Sequence, residues 1–108
     1  MSVRLILLII VLVAPMYGTD PMQVACIIHA ESDFDVYAVN GIHVGLAQFA
    51  PDTFEWLVLL ALRDPGFLHA EVVRLYPSQA DPVQNVIMLS WAIANGYGPH
   101  WSTWEECK

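Results

Sequence analysis

The 108-residue sequence is poor in positive charge: 4 Lys and Arg side chains stand against 11 Asp and Glu, a net charge of −7 with neutral histidines. That balance excludes a nucleic-acid binder or a protein drawn to anionic surfaces by simple attraction. Charged residues make up only 14% and hydrophobic ones 56%, which excludes a disordered tail, and the length excludes a multidomain chain. There is no internal repeat and no low-complexity segment. Cysteine is scarce as well. Cys26 and Cys107 are the whole complement, no Cys-x-x-Cys pair exists, and His29, His43, His69 and His100 are scattered, so the pattern is not that of a zinc site. The uncharged stretches are too short to cross a bilayer as a helix, which takes roughly 20 apolar residues.

What is abundant is apolarity at the front. Arg4 is followed by the run Leu5 to Val13, and Ala14-Pro15-Met16-Tyr17-Gly18 then leads into polar Thr19-Asp20. One basic residue ahead of a short apolar run fits a secretory signal. Residues 1–18 are therefore read as a targeting segment outside the fold and residues 19–108 as the domain. The protein is expected to be secreted or periplasmic, with no stable membrane insertion once the segment is removed. A mature chain of roughly 90 residues has room for one small core and is marginal on burial alone. In an oxidising compartment, a bridge between Cys26 and Cys107 is the economical reading, the alternative being two free buried thiols. Closing a loop of about 80 residues would stabilise the fold by roughly 2–4 kcal/mol.

The remaining chain reads as helices joined by short loops. Asp20-Pro21-Met22-Gln23 supplies an N-cap, a proline at the first helical position and a reciprocal Gln, so a helix is expected from about Pro21 to Glu31. Asp81-Pro82-Val83-Gln84 repeats that signal, and the helix it opens should stop at Asn95-Gly96. A third start is read at Asp52, as N-cap, with the apolar run Trp56 to Leu62 making this the central buried helix, ended by Asp64-Pro65-Gly66. Phe67 to Leu75 is a weaker helix, with Phe67, Leu68, Val72 and Leu75 on one side. Asp33 to His43 reads as a structured loop or, less favoured, a short hairpin. The fold class is mainly α.

One carboxylate stands out. Glu31 falls in the last turn of an apolar helix, where the helix C-terminus, apolar neighbours and nearby Asp33 and Asp35 would all favour its protonated form. Cleavage of a glycosidic bond requires such an acid, because the departing sugar oxygen must receive a proton. By position alone, a solvated residue at a frayed helix end is the better reading of Glu31. Its surroundings in sequence decide between the two. Glu31-Ser32 is followed by Ala38-Val39, then Gly45-Leu46-Ala47-Gln48, then Pro51-Asp52-Thr53-Phe54. In that order and spacing the chain resembles the soluble lytic transglycosylase branch of the lysozyme-like superfamily. Asp81-Pro82 and the tail Asn95-Gly96-Tyr97-Gly98-Pro99-His100-Trp101, with Trp104 before Cys107, resemble its compact secreted or phage-borne members more loosely. The family's Ala-Tyr-Asn motif is represented only by Ala92-Ile93-Ala94-Asn95, with Tyr97 as the nearest tyrosine.

The resemblance implies a small lysozyme-like helical domain with a catalytic groove. It also implies cleavage of the β-1,4 bond between N-acetylmuramic acid (MurNAc) and N-acetylglucosamine (GlcNAc) of peptidoglycan by Glu31 alone, with a 1,6-anhydro product or, in hydrolytic relatives, water as the acceptor. Candidate substrate-binding residues are Ser32, Gly45, Gln48, Phe49, Tyr97 and Trp101, with Tyr37 as a further aromatic. Gly45 would let the substrate approach the backbone and Gln48 would hydrogen-bond a sugar amide or hydroxyl. Trp56 and Trp91, among Leu and Ile at helical spacing, read as core. Asp33, Asp35 and Asp52 are the nearest possible second carboxylates and are better explained as loop or cap residues. Peptidoglycan is itself acidic, so its binding must come from specific contacts in the groove. A non-catalytic peptidoglycan-binding module on the same scaffold is the competing reading. No cofactor is implied, and the chain is expected to act as a monomer on glycan strands.

Overall fold

The computed structural model describes residues 1–108. Six α-helices follow in order: α1 Val3–Val13, α2 Pro21–Ser32, α3 Pro51–Leu62, α4 Ala70–Leu75, α5 Pro82–Ala94 and α6 Trp104–Cys107. Short 3₁₀ turns occupy Ala14–Tyr17 and Gly98–His100, and a small antiparallel ribbon pairs β1 Val39–Asn40 with β2 His43–Val44. The fold is mainly helical, as the sequence implied.

Local signals set the helix starts. The Asp20 carboxylate accepts the Met22 N–H at 2.9 Å and the Asp81 carboxylate accepts the Gln84 N–H at 2.8 Å, each ahead of a proline at the first helical position. Gln23 makes no return bond, so α2 is capped from one side. Helix α3 begins differently: Pro51 is its first residue and Ala50 its N-cap, which places Asp52 in the exposed first turn rather than at the cap. Helix α5 ends as expected, with Gly96 left-handed at φ 87° and the Tyr97 N–H returning to the Ala92 carbonyl.

The central helix is α5, not α3. Residues Gln84 to Ala92 are all buried, whereas Trp56 and Leu59 of α3 are 41% and 52% exposed. Hydrophobic runs mislead here because α5 buries two amides that bond to neighbouring loops: the Gln84 side chain accepts the Ser78 N–H and donates to the Tyr76 carbonyl, and Asn85 makes three bonds described below. Helix α4 is shorter than expected. Phe67 and Val73 face the core, while Leu68, Val72 and Leu75 are exposed. The loop after α2 does contain the hairpin, turning at Gly41 with φ 64°. No helix is long and apolar enough to cross a membrane.

Residues 1–18, set outside the fold on sequence, are packed into it. Helix α1 lies against α5 and α2, with Ile6, Ile10, Val13 and Ala14 buried in the same core as Val24, Ile27, Leu57 and Leu89. Its other face leaves Leu5, Leu8, Val11 and Leu12 in solvent. The Tyr17 ring packs on Phe67 with centroids 6.0 Å apart, and its hydroxyl hydrogen-bonds the His69 ring. Buried Thr19 donates to the Ser90 carbonyl at 2.7 Å, closing the segment onto α5. Nearby, the Trp91 indole N–H and the Gly66 amide hold the Asp64 carboxyl below the usual carboxylate range, tying the loop after α3 to α5.

Two outcomes follow. Each fully buried Ile or Val contributes about 1.5–3 kcal/mol, so losing Ile6, Ile10 and Val13 removes an amount comparable to the roughly 5–15 kcal/mol of a whole domain. A chain beginning at Thr19 should therefore lose its cooperative thermal transition by circular dichroism, whereas the full chain keeps one. Burial also pushes the Tyr17 hydroxyl up to about 12 from 10.0. Both states hold that proton below 10.0, and between there and about 12 the unfolded chain ionises first, so stability is lost as pH rises through this window. Urea midpoints should fall between pH 10 and 12 for the wild type, and much less for Tyr17→Phe.

Candidate active site

Helix α2 ends on Ser32 because Asp33 and Phe34 both turn left-handed, at φ 50° and 61°. That break leaves Glu31 in the last turn, half-buried, at a cavity of about 250 Å³. Gln48, Phe49 and Ala50 form one part of the wall, His43 of the ribbon and Thr53 of α3 another, and His100, Trp101 and Ser102 of the tail complete it. Glu31 is the only carboxylate among them. Asp33 is turned to His29, with Oδ1 2.8 Å from Nδ1, and Asp35 accepts the Tyr37 N–H at 2.9 Å.

The segment Gly45 to Gln48 owes its shape to α5. Gly45 sits at φ 85°, and a Cβ there would lie 2.9 Å from the Gln79 carbonyl oxygen and 3.0 Å from Asn85 Nδ2. Glycine is thus required for the close approach of the loop to its own scaffold. Buried Asn85 accepts the Ala47 N–H at 2.9 Å and donates at 2.8 Å to the carbonyls of both Gln79 and Asp81. From the other side, the Trp101 indole N–H donates to the Ala47 carbonyl at 2.9 Å. Gln48 then turns left-handed at φ 54°, and its Nε2 donates to the carbonyls of Gly45 and Ala38 at 2.9 and 3.1 Å. These bonds brace the loop across the ribbon, and the amide oxygen makes no bond within the protein.

Of the residues singled out in the sequence, Glu31, Gln48, Phe49 and Trp101 meet at this cavity. Phe49 and Trp101 are 2% and 7% exposed and pack edge to face with centroids 5.5 Å apart, so they form its floor rather than free stacking platforms. Ser32 does not reach it; its hydroxyl donates to the Ile28 carbonyl at 3.0 Å. Gly45 serves the loop's packing. Tyr97 stacks on Trp91, with centroids 5.8 Å apart and planes 22° apart, and also meets Trp56 and, at 6.0 Å, the ring of His100, so it stands behind the cavity wall and does not line it. Tyr37 lies away from the cavity and is 84% exposed. Cys26 and Cys107 are joined in a disulfide that clamps α6 to α2.

Several residues at the site escaped the sequence reading. His43, Thr53, His100 and Ser102 line the cavity, and Thr103 donates its hydroxyl to Glu31 Oε2 at 3.0 Å. Half-exposed Trp56, read as core, lies with its ring 5.2 Å from that of His100. The bridge itself was the available signal: once Cys107 is joined to Cys26, the tail residues must lie beside the helix that carries Glu31.

A compact helical domain with one carboxylate at a helix end, facing a loop braced by a buried Asn, is of the lysozyme-like class. The chain matches the transglycosylase SLT domain over residues 10–98 and belongs to that family. The family's activity is lytic transglycosylation of peptidoglycan, outside the cytoplasm. No curated protein matches the chain, and no solved structure does.

Asn85→Ala should be among the most damaging single changes to the site loop. It leaves the Ala47 N–H and the Gln79 carbonyl without partners, while the Asp81 carbonyl keeps the backbone N–H of residue 85, at about 1–3 kcal/mol for each buried group so orphaned. The expected result is a fall in unfolding free energy on the order of 3 kcal/mol in urea titration.

Proposed function

We propose that the protein is a peptidoglycan lytic transglycosylase in which Glu31 serves as both general acid and general base. The observation that carries this reading is that Glu31 is the one carboxylate on a cavity it shares with Gln48 and Trp101. A two-carboxylate glycosidase would set a second acid about 5–5.5 Å away for retention or roughly 6.5–9.5 Å for inversion. Asp33 and Asp35 are engaged elsewhere and Asp52 stands on the exposed first turn of α3, which favours the single-acid route.

In the first step the Glu31 carboxyl gives its proton to the oxygen between MurNAc and GlcNAc while the bond from that oxygen to the MurNAc C1 breaks. GlcNAc leaves as the alcohol, and positive charge develops at C1. In the second step the MurNAc 6-hydroxyl oxygen bonds to C1 and its proton returns to the Glu31 carboxylate, which closes the 1,6-anhydro ring and restores the acid. No water is consumed. The amide oxygen of Gln48, a cavity-lining group without a partner inside the protein, would accept a bond from a sugar N–H or hydroxyl.

In this reading the enzyme acts as a monomer on glycan strands. Residues 1–18 direct export, and the same apolar run then folds as α1. N-terminal sequencing of exported protein would read Ser2 or Met1 if α1 stays in the core, and a residue near Thr19 if the segment is cleaved.

Glu31→Gln should lower muropeptide release by on the order of 10²–10⁴-fold with an unchanged melting temperature. Retained activity would remove Glu31 from the role. Mass spectrometry of wild-type digests should find anhydro ends. Ends one water heavier would make the enzyme a hydrolase, and glycan pull-down without any product would make it a binding module.

A further inference from the structure

We propose that Thr103 is a positioning residue for the acid, a role that rests on Glu31 being that acid. A glutamate at a helix terminus has a flexible side chain, and an acid that must meet one oxygen of a polymer gains from having the other carboxylate oxygen held. Glu31 makes one side-chain hydrogen bond in the protein, and Thr103 supplies it: the hydroxyl donates to Oε2 at 3.0 Å, which leaves Oε1 for the glycosidic oxygen.

The tail is built to keep Thr103 there. On one side Trp101 is buried and its indole is bonded to Ala47, and the Trp104 N–H returns to the Trp101 carbonyl at 3.0 Å. On the other, Cys107 is covalently joined to Cys26 on the same helix as Glu31. The four-residue α6 would not persist alone, since one turn of helix does not offset its own nucleation. The bridge and the Trp101 anchor therefore bracket Thr103. Gly98 adds to this, because a Cβ at that position would lie 2.4 Å from the Trp104 ring. Thr103 lies beyond the residues matched by the family, and Tyr97, stacked on Trp91, makes no bond to Glu31, so the partner of Glu31 comes from this chain's own tail.

The test uses the full-length, oxidised protein and solubilised, uncross-linked glycan strands. Thr103→Val keeps the shape and removes the hydroxyl; it should lower kcat by about 10-fold and leave KM within about twofold, as expected for loss of one bond to a charged group. Thr103→Ser should restore kcat to within about threefold of wild type, which a purely packing role for the threonine would not give. Thr103→Ala serves as a second hydroxyl-free variant where the valine does not fold. Unchanged kcat in both hydroxyl-free variants, or a serine variant as slow as they are, would overturn the assignment. Glu31→Gln is assayed alongside: its inactivity with a fully active Thr103→Val rejects Thr103 alone, whereas its activity rejects the reading beneath it.

Discussion

The peptide unit of Ala47 is gripped from two directions, its N–H by the Asn85 side chain and its carbonyl by the Trp101 indole. Both partners are buried, and both belong to distant parts of the chain, one to the central helix and one to the tail. The two left-handed residues that bracket this peptide, Gly45 and Gln48, keep their conformations because the peptide between them cannot move. The cavity wall follows: Gln48, Phe49 and Ala50 face Glu31 only while the loop is held flat against α5. A single amide on α5 thus connects the hydrophobic core to the cavity, and this fully buried side chain, at 0% exposure, lies directly behind the Gly45–Gln48 loop.

Glu31 is fixed by a second set of constraints that meets the first in the tail. Helix α2 brings it to the cavity edge and then stops abruptly at two left-handed residues, so no further turn of helix covers the carboxylate. The tail returns across the opening, bonding the loop through Trp101 and Glu31 through Thr103, and is pinned by the disulfide to α2 itself. Loop and carboxylate are thereby referenced to the same short stretch of backbone. Small shifts of either against the other are resisted by a covalent bond, a buried indole and a buried amide, with no further layer of structure.

Local chemistry made the helix starts legible, because an Asp-Pro pair satisfies orphan amides without help from the rest of the fold. The rank of the helices was not legible. Counting apolar residues favoured α3, yet α5 is more deeply buried because Gln84 and Asn85 satisfy backbone groups from neighbouring loops, a role visible only in three dimensions. The uncharged run of α1 was ambiguous for a related reason: an export signal and a core helix share the same composition. Order and spacing singled out Glu31 and Gln48, which line one cavity, whereas Gly45 packs against the Gln79 carbonyl and Asn85, and the Ser32 hydroxyl bonds the Ile28 carbonyl. His43 had no sequence context to mark it, and His100 and Thr103 were marked only through the bridge. They reach the cavity only because the hairpin and the tail fold back across it.

The bridge joins residues separated by 81 positions, and the groups that complete the cavity lie just before its second cysteine. Synthesis proceeds from the amino terminus, so Glu31 and the Gly45–Gln48 loop leave the ribosome long before the tail that holds them. An unfinished chain carries Glu31 without Trp101 beneath the cavity and without the Thr103 hydroxyl. The cavity is therefore complete only once the last residues are made, and the bridge that pins them to α2 can close only then.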